Sequence, residues 1–478
     1  MKRDENSFIH PIEHLAVEFL AAASCAADEG ATSLICASPL SARNPDVCRL
    51  WHDGYREKHR AALLLNLAAG TLYGFIKGAV KLAINFKPLK YAVYGKISGT
   101  LLVVPSTCGS ETSTGAYKTS YVRTDKDDGL FVCGPAGTCG KNEKDIKGIS
   151  FSRKLFIVSN MIWGGIRAFI RVKGGFVDKM LLLLLWLEWA GSLQWLYACH
   201  LERALSEVVE KYGIKKIGCI HEMHSHARVV WRVASKYNAR GYAVQHASIS
   251  SGKRWYFCCP EERKNGLMLP DVMYAFSNDA IELLAPHYGT TKFLLGCSCR
   301  FSHWKDAAPA RGVKGDCYLF VGALAAFDND VLIESLRKLI ENSATPMRVR
   351  LRLHPHAEVS RADKKWMKSC LRKGLMDVSA GVSLKDALAR AIAVIGMSTT
   401  VLEEALLLGR PVVQLTHPDY LQYIDLRGIK GAATIGHQDL SAEFLAAVSK
   451  KDVDCESSRE RLGLTHPAVT YSKLFEIY

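Results

Sequence analysis

Several absences narrow the chain's class before any motif is read. The cysteines that come nearest to a metal pattern, Cys258-Cys259 and Cys297-x-Cys299, lack the two-residue gap of zinc knuckles, so no metal site is expected. No Asp-x-Asp metal motif stands out; Asp328-Asn-Asp330 comes nearest and reads as a helix N-cap. No basic run with interleaved aromatics marks a nucleic-acid stripe, and nucleic acid is not expected as a partner. The opening Met1–His14 is charged and polar, unlike a signal peptide. In a reducing compartment the 15 cysteines then read as small buried hydrophobes. The strongest apolar run, Leu181–Tyr197, is interrupted by Glu188 and Gln194 and falls short of the ~20 residues of a bilayer span.

What is present in excess is positive charge. With 62 Lys and Arg against 47 Asp and Glu, the net charge of +15 implies an acidic partner: a phosphorylated donor or an anionic lipid surface. A chain of 478 residues has room for two domains with separate cores.

In chain order, residues 12–27 have the apolar periodicity of a first helix, Ala31–Ala37 reads as a strand, and Arg60–Phe86 as a long helix with apolar faces and scattered lysines. Leu101–Pro105 is a buried strand, followed by a polar loop through Ala116. Asp127-Asp128-Gly129 resembles the acidic-acidic-Gly motif that carries the base in bacterial sialyltransferases, but the polar stretch before it and the strong Asp-Gly turn signal favour a turn. Residues 151–200 stand apart. Arg153, Lys154, Arg167, Arg171, Lys173 and Lys179 alternate with Phe, Trp, Ile and Leu, and Trp163, Trp186, Trp189 and Trp195 follow the same stretch. Two readings stay open: a helix lying on an anionic membrane, or a buried core helix behind a solvated basic face.

Strand and helix then alternate. Lys216–Ile220 reads as a buried strand with His221-Glu222-Met223-His224 at its carboxyl end, and Tyr242–Gln245 as another ending in Gln245-His246-Ala247. Ligands of open α/β sheets bind at carboxyl strand ends, so Glu222, His221, His224 and His246 are the candidate acid–base residues, with Glu222 preferred as base. Residues 302–316 are the best linker. Beyond it come a strand at Cys317–Val321 with a Gly322 turn, a strand over 348–353 running into His354-Pro355-His356, and helices over 361–373 and 383–390. The pattern culminates in residues 394–415. Ala393–Ile395 is a buried strand, Gly396 turns it, and Ser398 or Thr399 caps a helix striped by Val401, Leu402, Ala405 and Leu408. Gly409 ends that helix and Val412–Leu415 is the next strand. A helix start bearing Ser398, Thr399 and Thr400 is a cradle for phosphate, and Glu403 and Glu404 lie where carboxylates can accept from ribose hydroxyls.

This last unit resembles the donor-binding turn of GT-B glycosyltransferases and UDP-sugar 2-epimerases. His354-Pro355 after its strand resembles the His-Pro motif of bacterial sialyltransferases and capsule Kdo transferases, where it sits at the CMP phosphate. Gln245-His246-Ala247, Trp255-Tyr256 and Pro270-Asp271 resemble the Gln-His-Gly, aromatic loop and Pro-Asp of surface-carbohydrate transferases, departing at Ala247. The resemblance covers roughly residues 210–450, and 1–200 matches no known motif.

It implies an α/β fold of the GT-B kind, two Rossmann-like doubly wound parallel-sheet domains facing across a cleft. The expected division is an acceptor domain over 1–305 with a membrane-proximal insertion near 151–200, a nucleotide-sugar domain over 316–450, and a tail over 451–478 crossing back. The implied function is metal-independent, cofactor-free transfer of a CMP-activated acidic sugar of Kdo or sialic-acid type to a glycan or lipid-linked acceptor in surface polysaccharide synthesis. Gly322, His354, Pro355, Ser398, Thr399, Thr400, Glu403 and Glu404 would hold the nucleotide. The protein would be cytoplasmic and peripheral on the inner face of the plasma membrane. A CDP-alcohol polyol-phosphate transferase, a UDP-sugar 2-epimerase and a catalytically silent binding protein remain as rivals.

Overall fold

The computed structural model describes residues 11–24, 53–83, 89–146, 149–220, 223–258, 269–297, 299–305, 315–323, 326–343, 347–354, 357, 359–379, 381–419 and 422–476. Two compact units divide the chain. The first comprises Met1–His246, Lys253–Arg300 and His466–Tyr478; the second, Ala247–Gly252 and Phe301–Thr465. The boundary at Arg300/Phe301 precedes the expected linker because the Trp304 indole is buried in the second unit, donating to Glu404 Oε2 at 3.0 Å. Residues 451–465, expected in the tail, belong to the second unit, and only the last stretch joins the first.

In the first unit, helices α1 (Pro11–Ser24) and α2 (Asp53–Ala83) precede strands β1 (Lys90–Tyr94) and β2 (Thr100–Pro105). A small ribbon, β3 (Gly109–Glu111) with β4 (Tyr117–Thr119), occupies the expected polar loop, and β5 (Leu130–Gly134) and β6 (Lys144–Asp145) follow. Then come α3 (Phe151–Arg171), α4 (Phe176–Gly191), α5 (Trp195–Tyr212), β7 (Lys216–Ile220), α6 (Ser225–Lys236), β8 (Arg240–Val244), β9 (Val272–Ala275), α7 (Asn278–Tyr288) and β10 (Lys292–Leu295). The sheet order is β10-β9-β8-β7-β2-β5-β1-β6. It is parallel from β10 to β5, with β1 and β6 added antiparallel at the edge. Both faces of such a sheet are covered, which is why the interiors of β2, β5 and β7 are continuous apolar runs. The terminal helix Tyr471–Phe475 packs on β7, and Val469, Tyr471, Leu474 and Phe475 complete this core. Asp127-Asp128 forms the turn expected of it, at the amino end of β5 and so away from the strand ends that face ligands.

Helices α1 to α4 build a separate layer in which α4 packs against α1, α2 and α3. Here the two readings of residues 151–200 divide between elements. Along α4 the apolar run is core: Leu181, Leu182, Leu185, Trp186 and Trp189 are buried. Helix α3 carries the exposed face instead, with Trp163 54% and Ile170 71% accessible, and Arg167 stacked over Trp163 at 5.3 Å. A second apolar exposure lies on α2, whose segment Arg60–Leu82 is long and apolar enough to cross a membrane and only 11% buried. Its inner side meets α4 through Gly74 and Gly78. A Cβ on Gly78 would sit 1.9 Å from the Gly191 carbonyl, so only glycine permits that approach. Its outer side presents Leu65, Leu72, Tyr73, Ile76 and Val80.

The second unit is a six-stranded, all-parallel sheet in the order β13-β12-β11-β14-β15-β16. Its elements are β11 (Cys317–Val321), α8 (Ala326–Asn342), β12 (Val349–Arg352), α9 (Arg361–Arg372), β13 (Asp377–Val378), α10 (Leu384–Ala389), β14 (Ala391–Gly396), α11 (Val401–Leu407), β15 (Val412–Thr416), β16 (Ala432–Gly436), α12 (Ala442–Val448) and α13 (Cys455–Arg461). The two α/β units, each on a largely parallel sheet with helices, are the fold class the sequence implies.

Candidate functional site

Doubly wound sheets bind ligands where the strand order reverses, at the carboxyl ends of the strands flanking the reversal. In the second unit the chain runs outward one way from β11 through β12 and the other way from β14 through β15, so the reversal lies between β11 and β14. Three of the expected nucleotide-binding segments end there side by side. Gly322 follows β11 and its N–H donates to Arg352 O at 2.8 Å; His354 follows β12; the Gly396–Thr400 turn follows β14. A Cβ on Gly322 would stand 2.6 Å from Asn329 Oδ1 and 2.9 Å from Leu353, and one on Gly396 would stand 3.0 Å from Val321 O. The two turns are therefore packed tightly against their neighbours.

Asn329 is the residue sequence reasoning missed. Its buried amide accepts from Ala323 N–H at 3.0 Å and donates to Ala323 O at 3.1 Å, fixing the Gly322 turn. The Asp328-Asn-Asp330 segment lies inside α8 and does not supply its N-cap, because the helix already begins at Ala326. Gln414 plays a similar part for the other turn. Fully buried, it donates to Met397 O at 3.3 Å and to Gln422 Oε1 at 3.1 Å, while accepting from Leu426 N–H at 3.0 Å.

The hydroxyls divide differently from expectation. Thr400 occupies the N-cap of α11 with no side-chain cap bond, and Thr399 Oγ1 accepts from Val401 N–H at 3.4 Å. Ser398 Oγ accepts from Tyr423 N–H at 3.3 Å. A hydroxyl that accepts in this way keeps its own proton to donate to an anion. The expectation for Glu403 and Glu404 is corrected. Glu404 accepts from Trp304, and Glu403 is 2% exposed with Arg461 of α13 at 3.6 Å. Helix α11 is covered by α13 as well as by the sheet, so every residue from Leu402 to Leu407 is buried and neither carboxylate is presented to a ribose. Pro355 lies outside the described residues.

In the first unit the reversal centres on β2, which is flanked by β5 and β7. Of the acid–base candidates, Glu222 and His221 lie outside the described residues. His224 and His246, after β7 and β8, are brought together with ring centroids 5.3 Å apart. His226 stands 6.0 Å from His224, Trp255 6.3 Å from it, and Tyr256 Oη 3.2 Å from His246 Nδ1. Arg228, fully buried, braces the cluster by donating to Met223 O at 3.3 Å and Trp255 O at 3.4 Å. Burial holds the His224 imidazole well below its ordinary pKa, and the nearby His246, His226, Lys253 and Arg228 push the same way. His224 is thus neutral at neutral pH, the form that can take a proton. Among the described residues no group of three or more His, Cys, Asp or Glu is arranged to hold a metal ion.

Beside this cluster a cavity of about 480 Å³ opens at the ends of β2 and β5 and the start of α6, walled on its far side by α4 and α5. No motif pointed to it.

No family model matches the chain, and no curated protein matches it. Solved structures do. UDP-GlcNAc 2-epimerase from Neisseria meningitidis bound to UDP-GlcNAc is 13% identical, matched over 55% of this chain and 77% of its own at a TM-score of 0.37. MurG from Acinetobacter baumannii is 9% identical over 57% and 76% at 0.36, and a glycosyltransferase from Rickettsia africae 10% identical over 58% and 81% at 0.36. Likeness this distant carries no activity, substrate or site over to this chain. The structures it resembles are glycosyltransferases and nucleotide-sugar epimerases.

Proposed function

We propose that the chain is a GT-B-type glycosyltransferase in which the second unit binds a nucleotide sugar and the first binds the acceptor. The observation that carries this reading is the meeting of the Gly322, His354 and Gly396–Thr400 segments at the reversal of an all-parallel sheet. Backbone turns, two hydroxyls and an exposed imidazole at such a point suit a phosphate group. In the transfer, a base removes the acceptor hydroxyl's proton as its oxygen bonds to the anomeric carbon. The bond from that carbon to the phosphate oxygen breaks, and the nucleotide leaves with the electron pair. His224, neutral and beside His246, serves as base or orients it; Glu222 is the rival for that role.

The finer reading keeps a CMP-linked acidic sugar as donor, no metal, and a glycan or lipid-linked acceptor in surface polysaccharide synthesis. The chain would act in the cytoplasm, peripheral on the inner face of the plasma membrane. The exposed apolar face of α2 and the cation-flanked aromatics of α3 support contact with anionic lipid. They weigh against an epimerase, whose soluble substrate needs no membrane.

The test is thermal stabilisation by CMP, CDP, UDP and GDP at equal, millimolar-order concentration. A rise with CMP alone supports the acidic-sugar donor. A rise with UDP or CDP alone replaces that donor and keeps the transferase. No rise with any of the four sinks the nucleotide role of the second unit.

A further inference from the structure

Apolar residues, with two prolines, two indoles and two leucines among them, line most of the cavity in the first unit, which no part of the acid–base reading uses. Its floor is Leu89, Trp189, Trp195, Leu201 and Val229, all buried. The polar edge of Trp195 is already engaged, donating to Ala190 O at 3.1 Å, so the indole offers the cavity hydrocarbon. Thr107, Pro135, Gln194 and Tyr197 form an exposed rim. Apart from Gln194 and Tyr197 at the rim, the polar groups lie on the strand-end side, where Ser106 and Thr107 follow β2 and Ser225 and His226 open α6. Ser106 Oγ is bonded to Thr138 Oγ1 at 2.7 Å, and His226 Nε2 lies 3.2 Å from Ile220 O. The cavity is thus amphipathic, apolar in depth and polar along one edge. At about 480 Å³ it falls within the ~300–1,000 Å³ of small-ligand sites.

Two further facts choose the ligand class. The cavity sits at the ends of β2 and β5 and the start of α6 after β7, the strands that flank the first unit's chain reversal, where bound ligands belong. The helix that lines its floor through Trp189, α4, is also the one against which α2 and α3 pack, and these two expose Leu72 at 65%, Ile76 at 57% and Ile170 at 71%. A soluble glycan needs hydrogen-bonding walls and gives no reason for that exposed apolar layer. A single-chain amphiphile drawn from a bilayer fits both.

We propose that this cavity binds the proximal hydrocarbon chain of a lipid acceptor, with the acceptor's polar end at the Ser225–His226 edge beside His224 and His246. The assignment rests on the transferase reading for the word acceptor alone; chain binding stands or falls separately. The full-length protein is titrated with a fluorescent single-chain alkyl phosphate carrying a twelve-carbon tail, kept below its micelle-forming concentration. Ala198→Trp fills the cavity from α5, Tyr197→Glu places a charge at its exposed rim without touching the core, and Leu72→Asp breaks the outer apolar face of α2. Wild type and Leu72→Asp should bind alike, while Ala198→Trp and Tyr197→Glu should each weaken binding at least tenfold. Should Ala198→Trp fail to fold, Tyr197→Glu decides. Wild-type affinity in both cavity variants, or loss in Leu72→Asp with retention in the cavity variants, overturns the assignment and gives the probe to the outer face. Nucleotide-induced thermal shifts on the same samples separate the two ideas. Chain binding without a nucleotide shift removes the transferase and keeps the cavity; the reverse removes the cavity alone.

Discussion

At the chain reversal of the first unit the strands open onto indole, proline, leucine and a buried imidazole; at that of the second they open onto glycine, serine, threonine and an exposed imidazole. The placement is shared, since both follow from parallel strands wound in two directions from one point. The lining differs because the two sites are assembled differently. In the second unit each segment is the immediate continuation of its strand, and short turns bring backbone groups and small side chains to the edge. In the first, the helices α4 and α5 fold over the strand ends and bring large side chains with them. A site of backbone and hydroxyls suits a charged, hydrated group, and one of indole and leucine suits hydrocarbon.

The sharpest break between the two comes from removing an imidazole on each side. His224→Gln keeps volume and polarity in the cluster but cannot accept a proton. Turnover should fall about 100-fold or more while the nucleotide-induced thermal shift is unchanged. Retained turnover would move the base to Glu222 or His246. On the other side, His354→Ala and Ser398→Ala should each weaken nucleotide binding about tenfold, as loss of one hydrogen bond to a charged group does. His354→Ala should leave the urea midpoint unchanged because His354 is exposed, whereas Ser398→Ala should lower it slightly because the Tyr423 N–H loses its acceptor. Full affinity in both variants would remove the phosphate from this turn.

The electrostatics of His224 give a smaller, pH-dependent difference. The folded chain holds this imidazole deprotonated where the unfolded chain protonates it, below about pH 6.5. The unfolded state then binds more protons, so stability falls as acid is added, and the loss ends only once the folded imidazole titrates in turn. Melting temperatures of wild type and His224→Gln, compared from about pH 7 to about pH 5, should diverge, with the wild type falling more steeply. Parallel curves would mean that the folded cluster takes up its proton as readily as the unfolded chain.

The same contrast explains what the sequence revealed. The strand, glycine, hydroxyl turn and helix of residues 391–408 are contiguous, so local spacing was enough to place Gly396, Ser398 and Thr399 at a strand end. The cavity draws on residues near 106, 134, 195 and 226, and no local pattern joins them. The helix layer was likewise hidden: α4 lies between its neighbours while α2 has neighbours on a single side, a difference set by the layer and absent from either segment alone.

The smallest expected effect tests the one expectation in the second unit that packing overturned. Glu403 and Glu404 read as ribose ligands from their place beyond the hydroxyl turn, and a helix with Val401, Leu402, Ala405 and Leu408 as its core stripe would leave them outward. That inference assumes one covered face. Helix α13 covers the other, and Arg461 supplies the counter-charge that lets Glu403 remain there at 3% side-chain exposure. Glu403→Gln keeps the shape and removes that charge. Its effect should appear in stability, lowering the urea midpoint because Arg461 keeps its bond to Asp425 O but loses the buried counter-charge at 3.6 Å. Nucleotide affinity should change less than about twofold, well under the loss of a ligand hydrogen bond. A tenfold loss of affinity at an unchanged midpoint would return Glu403 to the ribose and mean that α13 moves aside when the donor binds.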